Sequence, residues 1–146
     1  IAKGELIEYA RYVENYYGTP REYVENMLDK GKDVILEIEI QGALKVKKAF
    51  PDTLLLFVTP PNATELKNRL VGRGTETMDV IKSRLDRACE EAEGMDSYDY
   101  LIVNDDLNVC VEKMHEIIQG EHHRSFRNKA FMKEIKEDLE RLKGEN

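Results

Sequence analysis

Short runs of apolar residues alternate along the chain with longer segments in which apolar residues recur every three or four positions. The runs at 6–13, 34–40, 54–58 and 100–103 have the length of strands, and the last three suit the buried strands of a parallel sheet. The segments between them have helical spacing. This alternation predicts an α/β fold with right-handed crossovers and a ligand crevice at the carboxyl ends of the strands.

Capping residues mark several helix boundaries. Asn62 and Asp106 are suitable N-caps, and Gly31 is a suitable C-cap. Residues 15–20 combine Asn, Gly and Pro, which predicts a turn before a helix that Pro20 opens. Helices are predicted over 20–30, 41–50, 63–72, 77–92, 107–118 and 126–142.

The last of these helices is amphipathic. It carries Phe131, Ile135, Leu139 and Leu142 on one side and charged residues around the rest of its surface. We expect this apolar stripe to pack on the body of the domain, with a partner helix as the alternative.

The composition is that of one folded domain. The chain has 146 residues, of which 41% are apolar and 35% are charged, and this balance excludes a disordered chain. The formal charge of −7 argues against a nucleic-acid-binding protein. No apolar run approaches the roughly 20 residues that span a bilayer, so no membrane association is expected. The chain opens on Ile1 without Met, and we interpret it as part of a longer protein.

Cysteine and histidine do not indicate a metal site. Cys89 and Cys110 form no Cys-x-x-Cys pair, so we interpret both as small buried hydrophobic residues in a reducing compartment. This usage favours a cytoplasmic protein. His115, His122 and His123 lack metal-ligand spacing and are predicted to lie on helix surfaces.

Two carboxylates stand near the end of a predicted strand. Glu37 and Glu39 are two positions apart, so strand alternation places both on one face. Neighbouring like charges raise each other's pKa unless a cation or a hydrogen-bond donor stands between them. A Mg²⁺ ion with its waters, or the amino groups of a base, would fill that role. The alternative is a solvated strand end beside an arginine.

A basic stretch at 67–87 stands out in this acidic protein. Arg69 and Arg73 lie one helical turn apart, and Arg73 is flanked by Gly72 and Gly74. Arginines between glycine hinges suit a mobile lid that spreads charge over phosphate groups. The alternative is an ordinary charged helix face with paired side chains.

Three further groups of polar residues could contact a ligand. Residues 15–19 place two phenols, an amide and a hydroxyl around one glycine. Glu8 projects from the strand before them, and one carboxylate can accept two hydrogen bonds from guanine but not from adenine. Asn104 follows a strand at the crevice edge. The alternatives are a half-buried aromatic turn, a surface carboxylate and a common turn residue.

Together these motifs resemble guanylate kinase in order and spacing. Several ordered motifs are far more specific than any one of them. The resemblance covers residues 6 to about 123 and is loose beyond that point. The matching motifs are Ile7-Glu8, NYYGT at 15–19, ILEIEIQG at 35–42, FVTPP at 57–61, RLVGRGTET at 69–77 and IVNDD at 102–106.

The resemblance implies an enzyme that transfers a phosphoryl group in line from ATP to GMP, with Mg²⁺ as the cofactor of ATP and purine nucleotide metabolism as its setting. It implies catalytic roles for Arg69, Arg73 and Arg84. The GMP-binding residues that it implies are Glu8, Tyr17, Gly18, Thr19 and Glu37. It implies that Arg69, Arg73 and Asn104 bind ATP. Glu37 and Glu39 would contact Mg²⁺ through water.

The resemblance also implies a layout. The fold would be a parallel-sheet P-loop kinase core with helices on both faces, a small GMP-binding β segment and a helical lid. Residues 1–20 would end the GMP-binding region, 21–66 and 88–125 would form the core, and 67–87 would form the lid. Residues 126–146 would add a C-terminal helix.

One family signature is absent from the 146 residues. No G-x-x-x-x-G-K-[ST] loop occurs, because the only Gly-Lys pair, Gly31-Lys32, is followed by Asp33. We therefore expect the N-terminal strand and the P-loop to be missing and this chain alone to be inactive. A surface left bare in this way would favour a homo-oligomer. The alternative function is a non-catalytic guanylate-kinase-like module that binds other proteins.

Overall fold

The computed structural model describes residues 1–12, 15–74 and 76–145, without the side chains of residues 10–12, 15 and 17. Helices and strands alternate along the chain, which confirms the predicted α/β class. The strands are β1 (Leu6–Tyr12), β2 (Asn15–Pro20), β3 (Leu56–Thr59) and β4 (Tyr100–Val103). The α-helices are α1 (Arg21–Asp29), α2 (Ile40–Ala49), α3 (Ala63–Gly72), α4 (Met78–Ala92), α5 (Leu107–Glu121) and α6 (Lys129–Gly144). Two short 3₁₀ helices cover Met95–Ser97 and Ser125–Asn128.

The chain divides into two compact units. The first comprises Ile1–Phe57 and Arg69–Leu101, and the second comprises Val58–Asn68 and Ile102–Asn146. Val24, Ala43, Val46, Leu55, Leu70 and Ile81 are buried in the first unit, and Ile102 and Cys110 are buried in the second.

An antiparallel hairpin of β1 and β2 opens the first unit. The prediction of a turn at 15–20 is wrong, because these residues form β2 and pair with β1. Local composition favoured a turn, but cross-strand pairing decides the conformation of this segment. The rings of Tyr9 and Tyr16 lie on the paired strands with their centroids 6.5 Å apart. Such aromatic pairs stabilise a hairpin.

Helix α2 packs against β1 through an apolar stripe that includes Ala43 and Val46. A buried strand was predicted at 34–40, and this prediction is wrong, because 34–39 form no strand and Ile40 begins α2. No neighbouring strand forms a backbone ladder with this segment within the described ranges, and a strand requires such a ladder. Ile35, on the outer face of this segment, is 70% exposed.

Strands β3 and β4 form a small parallel sheet. At its start, the Leu55 carbonyl accepts hydrogen bonds from the backbone N–H groups of Asp99 and Tyr100, at 3.0 and 3.1 Å. The Asp99 carboxylate accepts from the Leu55 N–H at 2.8 Å and from Lys47 Nζ at 3.3 Å. This cluster ties the end of α2 to the sheet. The prediction that β4 is buried is right for Ile102 alone among its four residues.

The predicted helix caps are confirmed. Asn62 Oδ1 accepts from the Glu65 N–H at 2.7 Å, and Asp106 Oδ1 accepts from the Val109 N–H at 3.0 Å. Thr77 Oγ1 accepts from the Val80 N–H at 3.4 Å and caps α4. Gly31 follows α1 with a φ of +78°, a conformation that favours glycine.

Both cysteines were predicted to be buried, and this prediction is wrong for Cys89 in α4. Cys110 in α5 is buried as predicted, but Cys89 in α4 is exposed. The inward stripe of α4 is centred on Ile81, Leu85 and Ala88, and Cys89 lies at its outer flank. The three histidines are exposed, as predicted.

The tail helix α6 is not covered as predicted. Its stripe of Phe131, Ile135, Leu139 and Leu142 is exposed, because α6 contacts mainly the 3₁₀ helix that precedes it. Within the described residues, no helix is both long enough and apolar enough to cross a membrane.

Tyr98 provides a pH-dependent test of the packing in the first unit. Its ring meets Phe57 edge to face at a centroid distance of 5.1 Å. Burial of the phenol, aided by the negative charge of Glu91, raises its pKa above the ordinary value of 10.0. A raised pKa in the folded state means that unfolding favours ionisation at alkaline pH. Stability is therefore fully present below pH 10 and is lost as the pH rises through the pKa of the folded state.

We expect Tyr98→Phe to flatten this alkaline loss of stability. Thermal unfolding followed by circular dichroism between pH 8 and about 11 checks it. Tyr23→Phe is the matched control, since Tyr23 is 61% exposed. An equally steep loss in both variants would contradict the assignment.

Candidate functional site

The structure centres the site on one buried carboxylate. Glu8, on β1, is 7% exposed, and it faces Thr19 across the hairpin. The Thr19 hydroxyl donates a hydrogen bond to Glu8 Oε1 at 2.7 Å. Burying a carboxylate is costly without such partners, so this pair fixes the direction of the Glu8 side chain. The prediction that Glu8 and Thr19 belong to one site agrees with this geometry.

Gly18, next to Thr19, allows the two strands to approach closely. A Cβ atom at Gly18 would lie 2.8 Å from Leu6 Cδ1 and 2.9 Å from the Glu8 carbonyl oxygen. Only a residue without a side chain fits this position. Tyr17, predicted with these residues, has a side chain outside the described part of the chain.

The first turn of α2 forms the other wall around Glu8. A Cβ atom at Gly42 would lie 3.0 Å from Glu8 Oε2, so the absence of a side chain there leaves room for the carboxylate. The N-terminus of a helix also carries a partial positive charge that favours a nearby anion. Gly42 ends the ILEIEIQG motif at 35–42, but the sequence predicted no role for it.

Glu39 is the N-cap residue of α2, and its carboxylate contacts the guanidinium of Arg87 on α4. Arg87 Nε also reaches Glu91 Oε1 at 3.3 Å. This contact agrees with the alternative interpretation of Glu39 as a carboxylate beside an arginine. The sequence analysis places Arg87 in the basic stretch at 67–87 but does not identify it as the partner of Glu39, because 48 positions separate the two residues. Arg87 and Glu91 are four positions apart, and this spacing indicates only an ion pair within one helix.

The described residues include no group of three or more His, Cys, Asp and Glu able to hold a metal ion. Magnesium needs fewer protein ligands than such a group supplies, because it is commonly held by one or two carboxylates together with waters and substrate phosphates. Glu37 is exposed and carries a suitable hard oxygen donor, whereas Glu39 is engaged by Arg87. The donor set therefore fits Mg²⁺ through water at Glu37 better than at Glu39.

The arginines of the basic stretch are placed differently from one another. Arg84 Nη2 lies 2.6 Å from Glu76 Oε1. Arg73 is exposed and forms no ion pair with a described carboxylate, and it sits before Gly74, which has a φ of +63°. Arg69 is half-buried at the end of α3. Asn104, which donates its backbone N–H to the Thr59 carbonyl at 2.7 Å, belongs to the second unit.

Comparisons with known proteins show the family to which the chain belongs. The family model for guanylate kinase matches residues 1–121. The chain belongs to the guanylate kinase family. A guanylate kinase from Bacillus cereus is 52% identical over 139 residues, which are 95% of this chain and 68% of that protein. One from Lactococcus lactis is 54% identical over 124 residues, which are 85% and 60% of the two proteins.

A solved structure shows that the chain also has the fold of a guanylate kinase. The guanylate kinase from Anaplasma phagocytophilum superposes with a TM-score of 0.71 at 31% sequence identity. The superposition covers 86% of this chain and 61% of that one. This guanylate kinase family member therefore spans roughly two thirds of the length of its relatives.

Gly42→Ala tests the wall beside Glu8 in this family member. The added Cβ would press on Glu8 Oε2, and a shift of the carboxylate should weaken the GMP binding proposed in the next subsection by about tenfold. Stability should stay equal or rise slightly, since Ala in a helix is favoured over Gly by roughly 0.5–1 kcal/mol. Calorimetric titration with GMP and thermal unfolding measure the two effects separately.

Gly120→Ala is the control for Gly42→Ala, because a Cβ there would meet no atom within 4 Å. Weaker binding together with a large loss of stability in Gly42→Ala would contradict a local effect on the carboxylate.

Proposed function

We propose that this chain carries the GMP-binding and lid residues of a guanylate kinase, which transfers a phosphoryl group from ATP to GMP and yields ADP and GDP. The observation that carries the proposal is the buried Glu8 carboxylate, which accepts a hydrogen bond from Thr19 and packs closely beside Gly42. The family assignment and the relatives' names support it.

Glu8 would select guanine. A carboxylate offers only acceptors, and guanine presents two adjacent donors, the N1–H and the N2 amino group. Adenine has an acceptor at N1, which a carboxylate repels. Because Thr19 holds Oε1 in place, the donors of guanine would meet a preorganised partner rather than a mobile one. Tyr17 and Gly18 would complete the GMP pocket.

Residues 67–87 would act as a lid over the phosphates. Phosphoryl transfer needs its reactants in line and the charge on the transferring oxygens neutralised. Arg69, Arg73 and Arg84 would supply that charge, and Asn104 would contact the adenine of ATP. Arg84 would have to release Glu76 in order to bind a phosphate. A planar guanidinium makes its strongest bidentate hydrogen bonds to one anion at a time.

Magnesium would accompany ATP. Glu37 would hold the ion through water, and Glu39 would add a second carboxylate only after Arg87 releases it. When bound, the ion would neutralise charge on the phosphates. Residues 21–66 and 88–125 would form the core that positions these groups, and residues 1–20 would end the GMP-binding region.

For the 146 residues alone we propose binding of GMP without phosphoryl transfer. A cradle of backbone N–H groups with its lysine holds the β- and γ-phosphates in P-loop enzymes, and the printed residues contain no such motif. We therefore expect phosphoryl transfer from a complete guanylate kinase, and GMP binding without transfer from this chain.

Two measurements test the proposal. Calorimetric titration should show GMP binding that exceeds AMP binding by at least about tenfold, because the carboxylate repels adenine N1. A coupled assay with ATP, GMP and Mg²⁺ should show no ADP formation by chain purified free of host enzyme. Equal binding of GMP and AMP would overturn the guanine site, and ADP formation would overturn the inactivity of the chain alone. Binding of a phosphopeptide without GMP binding would indicate an interaction module instead.

A further inference from the structure

The C-terminal helix α6 presents an apolar face that nothing in the described structure covers. The exposed fractions are 62% for Phe131, 42% for Ile135, 61% for Leu139 and 53% for Leu142. Four large apolar residues on one 16-residue helix form a contiguous patch rather than scattered exposure. Such a stripe indicates a surface that another helix covers.

Three of these residues, together with the half-buried Met132, have the spacing of a coiled-coil seam, and Phe131 lies beside it. Met132 and Leu139 are seven positions apart and fit the a positions of a heptad repeat. Ile135 and Leu142 are also seven apart, three after each of the others, and fit the d positions. The α6 helix therefore carries two heptads with all four seam positions apolar.

The charges beside this seam are separated by sign. The e positions are Lys129, Lys136 and Lys143, so all three are lysine. The g positions after Phe131 are Asp138 and Glu145, so both are acidic. The e and g positions decide partner and orientation in coiled coils.

We propose that a second copy of this chain covers α6, with the two α6 helices parallel and in register. In that arrangement a g residue faces the e residue five positions later on the other helix. Asp138 of each copy would meet Lys143 of the second copy, so two attractive pairs form across the seam. In an antiparallel pair e residues face e residues, and lysines would oppose lysines. The charge pattern thus favours one orientation.

The start of α6 is already fixed, which lowers the entropy lost on pairing. Asn128 Nδ2 donates to the carbonyls of His122 and Arg124, both at 2.8 Å. Arg127 Nη2 lies 3.2 Å from the buried carboxylate of Glu121. Against pairing stands the Arg141–Asp138 contact of 3.2 Å within the helix, which Lys143 of the second copy would have to replace. Two heptads support a weak, concentration-dependent dimer.

The mass of the 146-residue chain in solution is the first test. Sedimentation equilibrium should give 16.9 kDa at low concentration and approach twice that value as concentration rises. Leu139→Lys places a charge in the seam and should leave a monomer at every concentration. Leu28→Lys is the matched control, because Leu28 is 52% exposed on α1 and should not alter association. A monomer at all concentrations, or a dimer that Leu139→Lys leaves intact, would overturn the proposal.

Charge reversal tests the pairing itself. Asp138→Lys alone and Lys143→Asp alone should each weaken self-association by about tenfold, because both pairs become repulsive. Mixing the two variants should restore it, since each heterodimer again has opposite charges across the seam. An unchanged dimer in the single variants would contradict the proposal.

Orientation is tested by a disulfide. Leu142→Cys in a Cys89→Ser background should form an interchain bond on mild oxidation, because d positions face each other only in the parallel register. Failure to cross-link while the dimer persists would overturn the parallel arrangement. These results do not depend on GMP binding, so they stand apart from the proposed function.

Discussion

Glu8→Gln is expected to weaken GMP binding by about 10²–10³-fold while leaving the hairpin folded. The carboxylate is buried, and Thr19 holds its Oε1 oxygen at 2.7 Å. An amide keeps the shape but presents one donor where guanine also presents a donor. One of two charge-assisted hydrogen bonds is then lost and the other is weakened, which leaves a buried group of the ligand without a partner.

The measurement is a calorimetric titration of the 146-residue chain with GMP and with inosine monophosphate. Inosine monophosphate lacks the N2 amino group, so the unmodified chain should prefer GMP and Glu8→Gln should lose much of that preference. Glu5→Gln, at an exposed residue before β1, is the matched control. If Glu8→Gln binds GMP as tightly as the control does, the carboxylate does not contact the base.

Gly18→Ala should lower the free energy of unfolding by about 1–3 kcal/mol. The new Cβ would lie 2.9 Å from the backbone carbonyl oxygen of Glu8, and the paired strand cannot swing aside as a flexible side chain can. The midpoint of thermal unfolding should fall by roughly 2–4 °C for each kcal/mol in a chain of this size. GMP binding should weaken as well, because the hairpin carries both Glu8 and Thr19.

Gly120→Ala serves as the control for this change. Nothing lies within 4 Å of a Cβ at Gly120, in α5, so the substitution should raise stability by roughly 0.5–1 kcal/mol. Unfolding curves of the two variants should therefore move in opposite directions. A Gly18→Ala chain as stable as the unmodified one would show that the hairpin relaxes without loss.

Local signals predicted the helices well. Asn62, Thr77 and Asp106 each accept a backbone hydrogen bond three residues later, an arrangement that lies within one turn of the chain. Spacing and capping chemistry are therefore sufficient to place these helix starts. The strands depend on distant partners, and the predictions failed there. Residues 15–20 form β2 because β1 pairs with them. The strand predicted at 34–40 is absent because no described strand pairs with it.

The site was predicted in part for the same reason. Motif resemblance named Glu8 and Thr19, and the hairpin register brings them into contact. The contact of Arg87 with Glu39 was not predicted, because the two residues belong to different helices and no local sequence pattern indicates that they pair. The clearance beside Gly42 is likewise a property of packing between α2 and β1.

The pairing of Arg84 with Glu76 and of Arg87 with Glu39 would affect the rate at which a nucleotide reaches the proposed site. Two guanidinium groups are neutralised before the ligand enters, which leaves the exposed Arg73 to attract a phosphate dianion. The whole chain meanwhile carries a formal charge of −7. Long-range repulsion between the acidic chain and the anionic nucleotide would therefore oppose the weak local attraction of the nucleotide to Arg73. Added salt should then speed nucleotide association rather than slow it, the reverse of the usual steering of anions into a cationic cleft.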